Sequence, residues 1–290
     1  MNNNKLPVTA IIVSFNTLEL TRRALEALYR SSKLPEEVFL VDNNSADGSV
    51  EMLKNNFPQV KLIINKQNVG FAKANNQAIK MSSQAFVWLL NSDTETGVRS
   101  LENLFEFMIQ NDRVGALGPT LVYPDKSLQS VGGFFPTFFN VFGYLFSIGF
   151  FLSEGLKKKM KRIALYPQKL PKCGLPLDYV TGAACFLRKE ALEKAGLLGE
   201  DYFMYFEETD LCWRLKKQGW EIMAIDTDPV IHVYGGSFVS KRDPKRLLVF
   251  LGSLNKFVAK NYSWNRAFPI LLLVSLFGKI SVYLKSIRSL

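Results

Sequence analysis

The sequence predicts an α/β protein built on a doubly wound, mixed sheet with helical additions, and three observations carry that prediction. Short, nearly continuous apolar runs recur along the chain, as in strands covered on both faces. The early runs are followed by apolar residues at helical spacing. Asp, Asn and Ser gather where the runs end, which is where open α/β sheets bind their ligands.

Val8–Phe15 opens as a strand, and Asn16 is expected to cap a helix marked by Leu20, Ala24, Leu25, Ala27 and Leu28. Val38–Val41 forms a second strand; it runs into the polar turn Asp42–Ser49 and a helix stopped by Pro58. Lys61–Asn65 is a third strand, and Asn68-Val69-Gly70-Phe71 leads into a helix over Ala72–Met81. Phe86–Leu90 runs into Asn91-Ser92-Asp93-Thr94, and Val98, Leu101, Leu104, Phe105 and Met108 mark the next helix. Val114–Val122 reads as a strand broken at Pro119, which predicts an edge position. Past Asp178 the pattern resumes, with Val180–Leu187 a strand and Arg188–Ala195 a helix. An acidic stretch follows at 205–214, then strands at Glu221–Ile225 and Pro229–Val233.

The formal charge of +10 is unevenly placed: residues 154–172 carry +6 and residues 237–290 carry +9, so the rest of the chain is net acidic. No nucleic-acid-binding motif accompanies the basic residues, so no nucleic-acid partner is expected. Both basic segments adjoin uncharged Phe- and Leu-rich runs, a pairing that suits an anionic membrane surface. The run Val131–Ser153 has eight Phe and no charge, but a single crossing there would separate the later strands from the first four. An interfacial insertion over 131–172 is expected instead, with Lys157, Lys158, Lys159, Lys161 and Arg162 at the headgroups. A second apolar run, 267–284, contains Pro269 and Lys279 and is expected to lie flat. The expected organisation is a catalytic domain over 1–236 and membrane-associating helices over 237–290. Cys173, Cys185 and Cys212 form no ligand motif, which fits a reducing compartment, and the N-terminus lacks a signal-peptide pattern.

Neither G-x-x-x-x-G-K-[ST] nor G-x-G-x-x-G occurs. The chemistry therefore falls to polar residues at strand ends: Asp42, Asn91, Asp93, the acidic Glu207, Glu208 and Asp210, and His232. Taken alone, the acidic stretch reads as the first turn of a solvated helix, Asp93 as a cap, and His232 as either a structural residue or a metal ligand.

Taken together, these motifs resemble the family-2 glycosyltransferases, inverting enzymes of the GT-A nucleotide-diphospho-sugar fold, in their rhamnosyltransferase-like branch. The resemblance spans about residues 8–236. It rests on Ile-Ile-Val-Ser-Phe-Asn at 11–16, Val-Asp-Asn-Asn-Ser-Ala-Asp-Gly-Ser at 41–49, Asn-Val-Gly-Phe-Ala-Lys-Ala-Asn-Asn at 68–76 and Leu-Leu-Asn-Ser-Asp-Thr at 89–94. Thr-Gly-Ala at 181–183, the acidic stretch, and His-Val-Tyr-Gly-Gly-Ser at 232–237 complete it. The resemblance implies that Asp42 contacts the nucleobase, with the backbone near Ser14 and Asn16 helping. Asn68, Gly70, Asn91 and Gly182 also fall in motifs that bind the nucleotide-sugar. Asp93, with His232 as a further ligand, would hold Mg²⁺ or Mn²⁺, and Glu208, with Glu207 as the alternative, would be the base. Asn91-Ser92-Asp93 departs from a strict Asp-x-Asp and leaves one direct carboxylate for the metal.

A hydroxyl attacking an anomeric carbon needs a base, and the departing diphosphate needs positive charge. The implied reaction moves a sugar, with dTDP-rhamnose the favoured donor, to a lipid-linked glycan at the cytoplasmic face of the cell membrane. Two other readings compete: a nucleotidyltransferase on a similar sheet, which would be expected to carry a Gly-rich phosphate loop that Ser14-Phe15-Asn16-Thr17 does not supply, and a non-catalytic membrane-associated binding module.

Overall fold

Val8, Ala10, Ile11 and Ile12 are fully buried because β1 (Lys5–Ser14) lies inside the main sheet, between parallel neighbours β2 (Leu34–Asp42) and β4 (Phe86–Asn91). The structure is a computed structural model that describes residues 4–149, 168–233 and 244–287. The basic run Lys157–Arg162 and residues 234–237 of the His232 motif lie outside the described residues.

β3 (Lys61–Ile64) extends the parallel set beyond β2. On the other side β4 pairs antiparallel with β11 (Ala184–Arg188), which pairs antiparallel with β6 (Val114–Gly118). β12 (Glu221–Ala224) then runs parallel to β6, and β9 (Leu175–Pro176) closes that edge. The sheet is thus mixed, and a late strand sits between two early ones. Helices α1 (Leu18–Tyr29), α2 (Ser49–Asn56), α3 (Phe71–Met81) and α4 (Ser100–Gln110) connect the early strands. Trp88 and Phe186 meet edge-to-face in the core on paired positions of β4 and β11.

Small strands build the rim. β5 (Thr94–Glu95), β13 (Val230–His232) and β7 (Leu121–Val122) form one sheet, and β8 (Gly132–Gly133) pairs with β10 (Tyr179–Val180) in another. The edge position expected for Val114–Val122 is therefore corrected. Pro119 separates β6, which is interior to the main sheet, from β7, so the residue that cannot donate marks where the chain changes sheets. Val180–Leu187 is likewise two strands, interrupted at Thr181–Ala183. Asn16 is not a helix cap: Thr17 occupies that position, while Asn16 has φ 51° and braces the neighbouring loop. Val98 lies ahead of α4 and is exposed.

A second apolar cluster joins α5 (Phe138–Gly149), α8 (Pro244–Asn261) and α9 (Trp264–Ile287) through Val141, Leu145, Leu251, Leu254, Phe257, Ile270 and Leu273. It reaches the acidic stretch through Tyr202 and Phe206. After α6 (Lys189–Ala195), α7 (Glu207–Lys217) carries that stretch. Asp210 on α7 is completely buried, and it accepts hydrogen bonds from Arg214 Nε at 3.0 Å and Asn261 Nδ2 at 3.0 Å, with Lys260 Nζ at 3.2 Å. Burial pushes its carboxyl pKa up, but Asn261, Arg214 and Lys260 more than offset this and hold the value below normal. Asp210 therefore fastens α8 to α7 as a charged structural link. Among the described residues, no helix is long and apolar enough to cross a membrane.

Candidate active site

A cavity of about 350 Å³ opens at the carboxyl ends of β1 and β4. Glu207, Glu208, Asn68, Gly70, Asn91, Asp93, Gly182 and His232 all line it. Three residues expected there do not. The side chain of Ser14 is buried in a hydroxyl cluster with Thr17 and Thr21, while Val13 and Phe15 on either side of it face the cavity by strand alternation, so any contact from Ser14 is through its backbone, as expected. Asn16 is an exposed loop residue, its Oδ1 accepting from Ala46 N at 2.8 Å. Asp42 lies behind Asn43, which does line the cavity. Its Oδ2 accepts from Ser45 N at 2.9 Å, and its buried Oδ1 has no hydrogen-bond partner among the described residues.

The acidic pair enters the cavity through a strained turn. Tyr205 and Phe206 have φ of 67° and 68°, a left-handed conformation costing roughly 1–3 kcal/mol per non-glycine residue. Packing holds it: Phe206 lies between Phe250 and Phe257, with ring centroids 5.3 and 5.5 Å away. Glu207 and Glu208 therefore start α7 inside the cavity instead of on a solvated face.

Burial pushes the Glu207 carboxyl well above the usual range, and the charge of Glu208 pushes it further. Glu208 is also raised by burial, but hydrogen bonds from the backbone, including Gly182, and from Glu207 hold it down. The positive end of α7 favours carboxylates by up to about 2 kcal/mol, less than the several pKa units that full burial can impose. Both carboxyls are thus raised, Glu207 the further of the two. The Oε2 atoms of both carboxyls are shielded from solvent and have no hydrogen-bond partner among the described residues. Close to Glu208, burial pushes the Cys212 thiol up to about 12, so it is a neutral neighbour.

Asp93 and His232 meet at the opening between β4 and β13, with Asp93 Oδ1 3.3 Å from His232 Nε2. Gln129 sets the tautomer. Its Nε2 donates to the carbonyl oxygens of His232, at 2.5 Å, and Val122, at 3.2 Å, so its Oε1 must accept from His232 Nδ1–H at 3.0 Å. His232 Nε2 and Asp93 Oδ1 then face the same opening. The carboxylate oxygen suits Mg²⁺ or Mn²⁺, and the imidazole nitrogen favours the transition metal, Mn²⁺, of the two. No group of three such ligands occurs among the described residues, so phosphate oxygens and water would complete the shell.

Gly70 turns the chain with φ 85° where a Cβ would approach Phe203 O to 3.1 Å, and its N–H donates to Asn68 Oδ1 at 3.0 Å. These two residues thereby shape the wall below Phe203. The sequence reading missed Gln129, 103 positions from His232, because no periodicity or motif links the two. It also missed Arg246, whose basic segment was assigned to a membrane surface but which lines the cavity from α8.

A sequence profile described as glycosyl transferase family 2 matches residues 9–196, more than half of the chain. The chain is 28% identical over 275 residues to an N-acetylglucosaminyl-diphospho-decaprenol L-rhamnosyltransferase of Mycobacterium tuberculosis, covering 90% of this chain and 87% of that protein. It is 22% identical over 268 residues to a low-salt glycan biosynthesis hexosyltransferase of Haloferax volcanii, covering 90% and 77%. Among solved structures it resembles a mannosyltransferase of Pyrobaculum calidifontis in complex with GDP-mannose and Mn²⁺, with a TM-score of 0.58 at 15% identity over 97% of this chain and 73% of that one. At that identity the likeness shows the fold, which is GT-A.

Proposed function

Because the chain belongs to glycosyl transferase family 2, we propose that it transfers L-rhamnose, with inversion, from a thymidine-diphosphate donor to a hydroxyl of a lipid-diphosphate-linked glycan bearing N-acetylglucosamine. The observation that carries the reaction type is the shared cavity: a buried carboxyl pair and the Asp93–His232 pair, from separate elements, open into one space. The named activity of the mycobacterial relative supports the sugar and acceptor. Glu208 takes the proton of the attacking hydroxyl, Glu207 donates to it, and Gly182 N–H orients it. Asp42, at the end of β2, braces the turn beside the nucleobase by accepting from Ser45 N–H, and Asn68 and Gly70 shape the wall beside the donor. Asp93 and His232 hold the divalent cation, which when bound neutralises charge on the departing diphosphate. A nucleotidyltransferase has no need of a base placed for a sugar acceptor, and the family assignment removes the non-catalytic reading.

Purified protein supplied with dTDP-rhamnose, Mn²⁺ and a short-chain diphospho-linked N-acetylglucosamine is expected to give one disaccharide product. NMR should show an anomeric configuration opposite to that of the donor. A retained configuration, or no product with any nucleotide-sugar, would overturn the reading.

Residues 1–236 then form the catalytic domain, and 237–290 bring it to the cytoplasmic membrane face. Support comes from α9, where Trp264, Phe268, Leu272 and Leu276 recur every fourth residue and are 70%, 47%, 45% and 56% exposed. The opposite side of the helix, including Ile270 and Leu273, is buried in the second cluster. Tyr262 OH donates to Pro136 O at 2.7 Å, bringing the exposed Phe138 and Phe139 to the same end. With +9 over 237–290, this face suits an anionic leaflet. Replacing Trp264, Phe268 and Leu272 by Ser is expected to weaken partition onto phosphatidylglycerol vesicles at least tenfold by sedimentation. Unchanged partition would rule this face out.

A further inference from the structure

The acidic cavity has a cation whose position none of the motifs explains. Arg246, in the first turn of α8, is the one Lys or Arg among the described residues that line it, alongside Asp93, Glu207 and Glu208. Its Nε donates to Tyr205 OH at 2.7 Å, and its guanidinium carbon lies 6.0 Å from the Tyr205 ring centroid. α8 is secured along its length to the stretch that carries the acidic pair: Ser253 Oγ donates to Met204 O at 2.8 Å, and Asn261 Nδ2 to Asp210 at 3.0 Å. Arg246 is therefore fixed relative to Glu207 and Glu208.

We propose that Arg246 binds a phosphate oxyanion of the acceptor, making this wall of the cavity a subsite for a diphospho-linked lipid. The inference rests on the glycosyl-transfer reading above. The base must lie within hydrogen-bond reach of the acceptor hydroxyl. A cation tied to Tyr205, two residues before Glu207, thus borders the space that the acceptor enters, whereas the donor diphosphate belongs with Asp93 and His232. The carboxylates of Asp93 and Glu208 in the walls would repel a phosphate-bearing acceptor, and a planar guanidinium beside them offsets that charge. α8 also packs against α9, whose outer face is apolar, so a lipid tail leaving this wall meets a surface of its own chemistry.

The test compares two acceptors on the full chain: farnesyl-diphospho-N-acetylglucosamine and the neutral octyl glycoside of the same sugar. Transfer by the wild type to either one tests the reaction; the ratio of the two tests the subsite. Arg246→Ala is expected to raise KM for the diphospho acceptor about 10- to 100-fold and to collapse the preference over the neutral glycoside. Arg246→Lys should recover part of that preference. Arg246→Gln, which keeps a donor for Tyr205 without the charge, should not. Three results would overturn the proposal: an equal loss on both acceptors, a matching rise in donor KM that places the guanidinium on the donor diphosphate, or full recovery by Gln that makes the role structural.

Discussion

Glu208→Gln is expected to lower the transfer rate about 10³-fold, within the 10²- to 10⁴-fold range for a positioned general base, while binding of the nucleotide-sugar persists. The amide matches the carboxyl in shape and cannot take a proton. Glu207→Gln should behave differently, because Gln at that position can still donate to Glu208, as the protonated Glu207 does. More than a tenth of the activity should remain. If the effects of the two substitutions were reversed, Glu207 would be the base.

The pH profile follows with a definite sign. Transfer needs Glu208 ionised, and its pKa is raised, chiefly by burial, above the ordinary 4.5. The acid limb of kcat should therefore lie above that value, and Glu207→Gln, by removing a neighbouring acid, should move it. Stability runs the other way. A carboxyl whose folded pKa is raised contributes stability that is complete below its unfolded pKa and is lost as pH rises through the folded pKa. Keeping a buried Glu208 ionised at neutral pH costs stability, so Glu208→Gln should leave Tm unchanged or higher as activity disappears. A fall in Tm alongside the lost activity would point to misfolding instead.

Asp93→Asn is expected to lower transfer about 10²- to 10³-fold, the usual loss when one group stabilising a developing charge is removed. It should also weaken Mn²⁺ binding in the presence of the donor, read by electron paramagnetic resonance without turnover. The amide keeps the shape of Asp93 and its place 3.3 Å from His232, so the loss is of charge. His232→Gln should have a smaller effect, since the remaining carboxylate and the phosphates can hold a hard cation. Full activity of Asp93→Asn in a chelator would remove Asp93 from the metal site.

The strands, helices and most of the cavity residues were legible from local pattern. A buried strand shows itself as a short apolar run, as at Val8 to Ile12, and polar residues at its carboxyl end mark the ligand side. That logic, together with the family resemblance, singled out Glu207, Glu208, Asp93, His232 and Gly182, which line one cavity. It erred where local pattern is ambiguous. Pro119 changes sheets where an edge was expected, and Thr17 takes the helix-cap position expected of Asn16.

By itself, then, the sequence determined the α/β class and the strand end that bears Asp93, because both depend on neighbours a few residues apart. Tertiary structure decided how far each of the two carboxyls is raised, since that depends on burial and, for Glu208, on Gly182, 26 positions away. It also decided the tautomer of His232, through Gln129, and the entry of Arg246 into an acidic cavity through α8. These depend on contacts between distant segments, where packing and desolvation act on whatever the fold brings together.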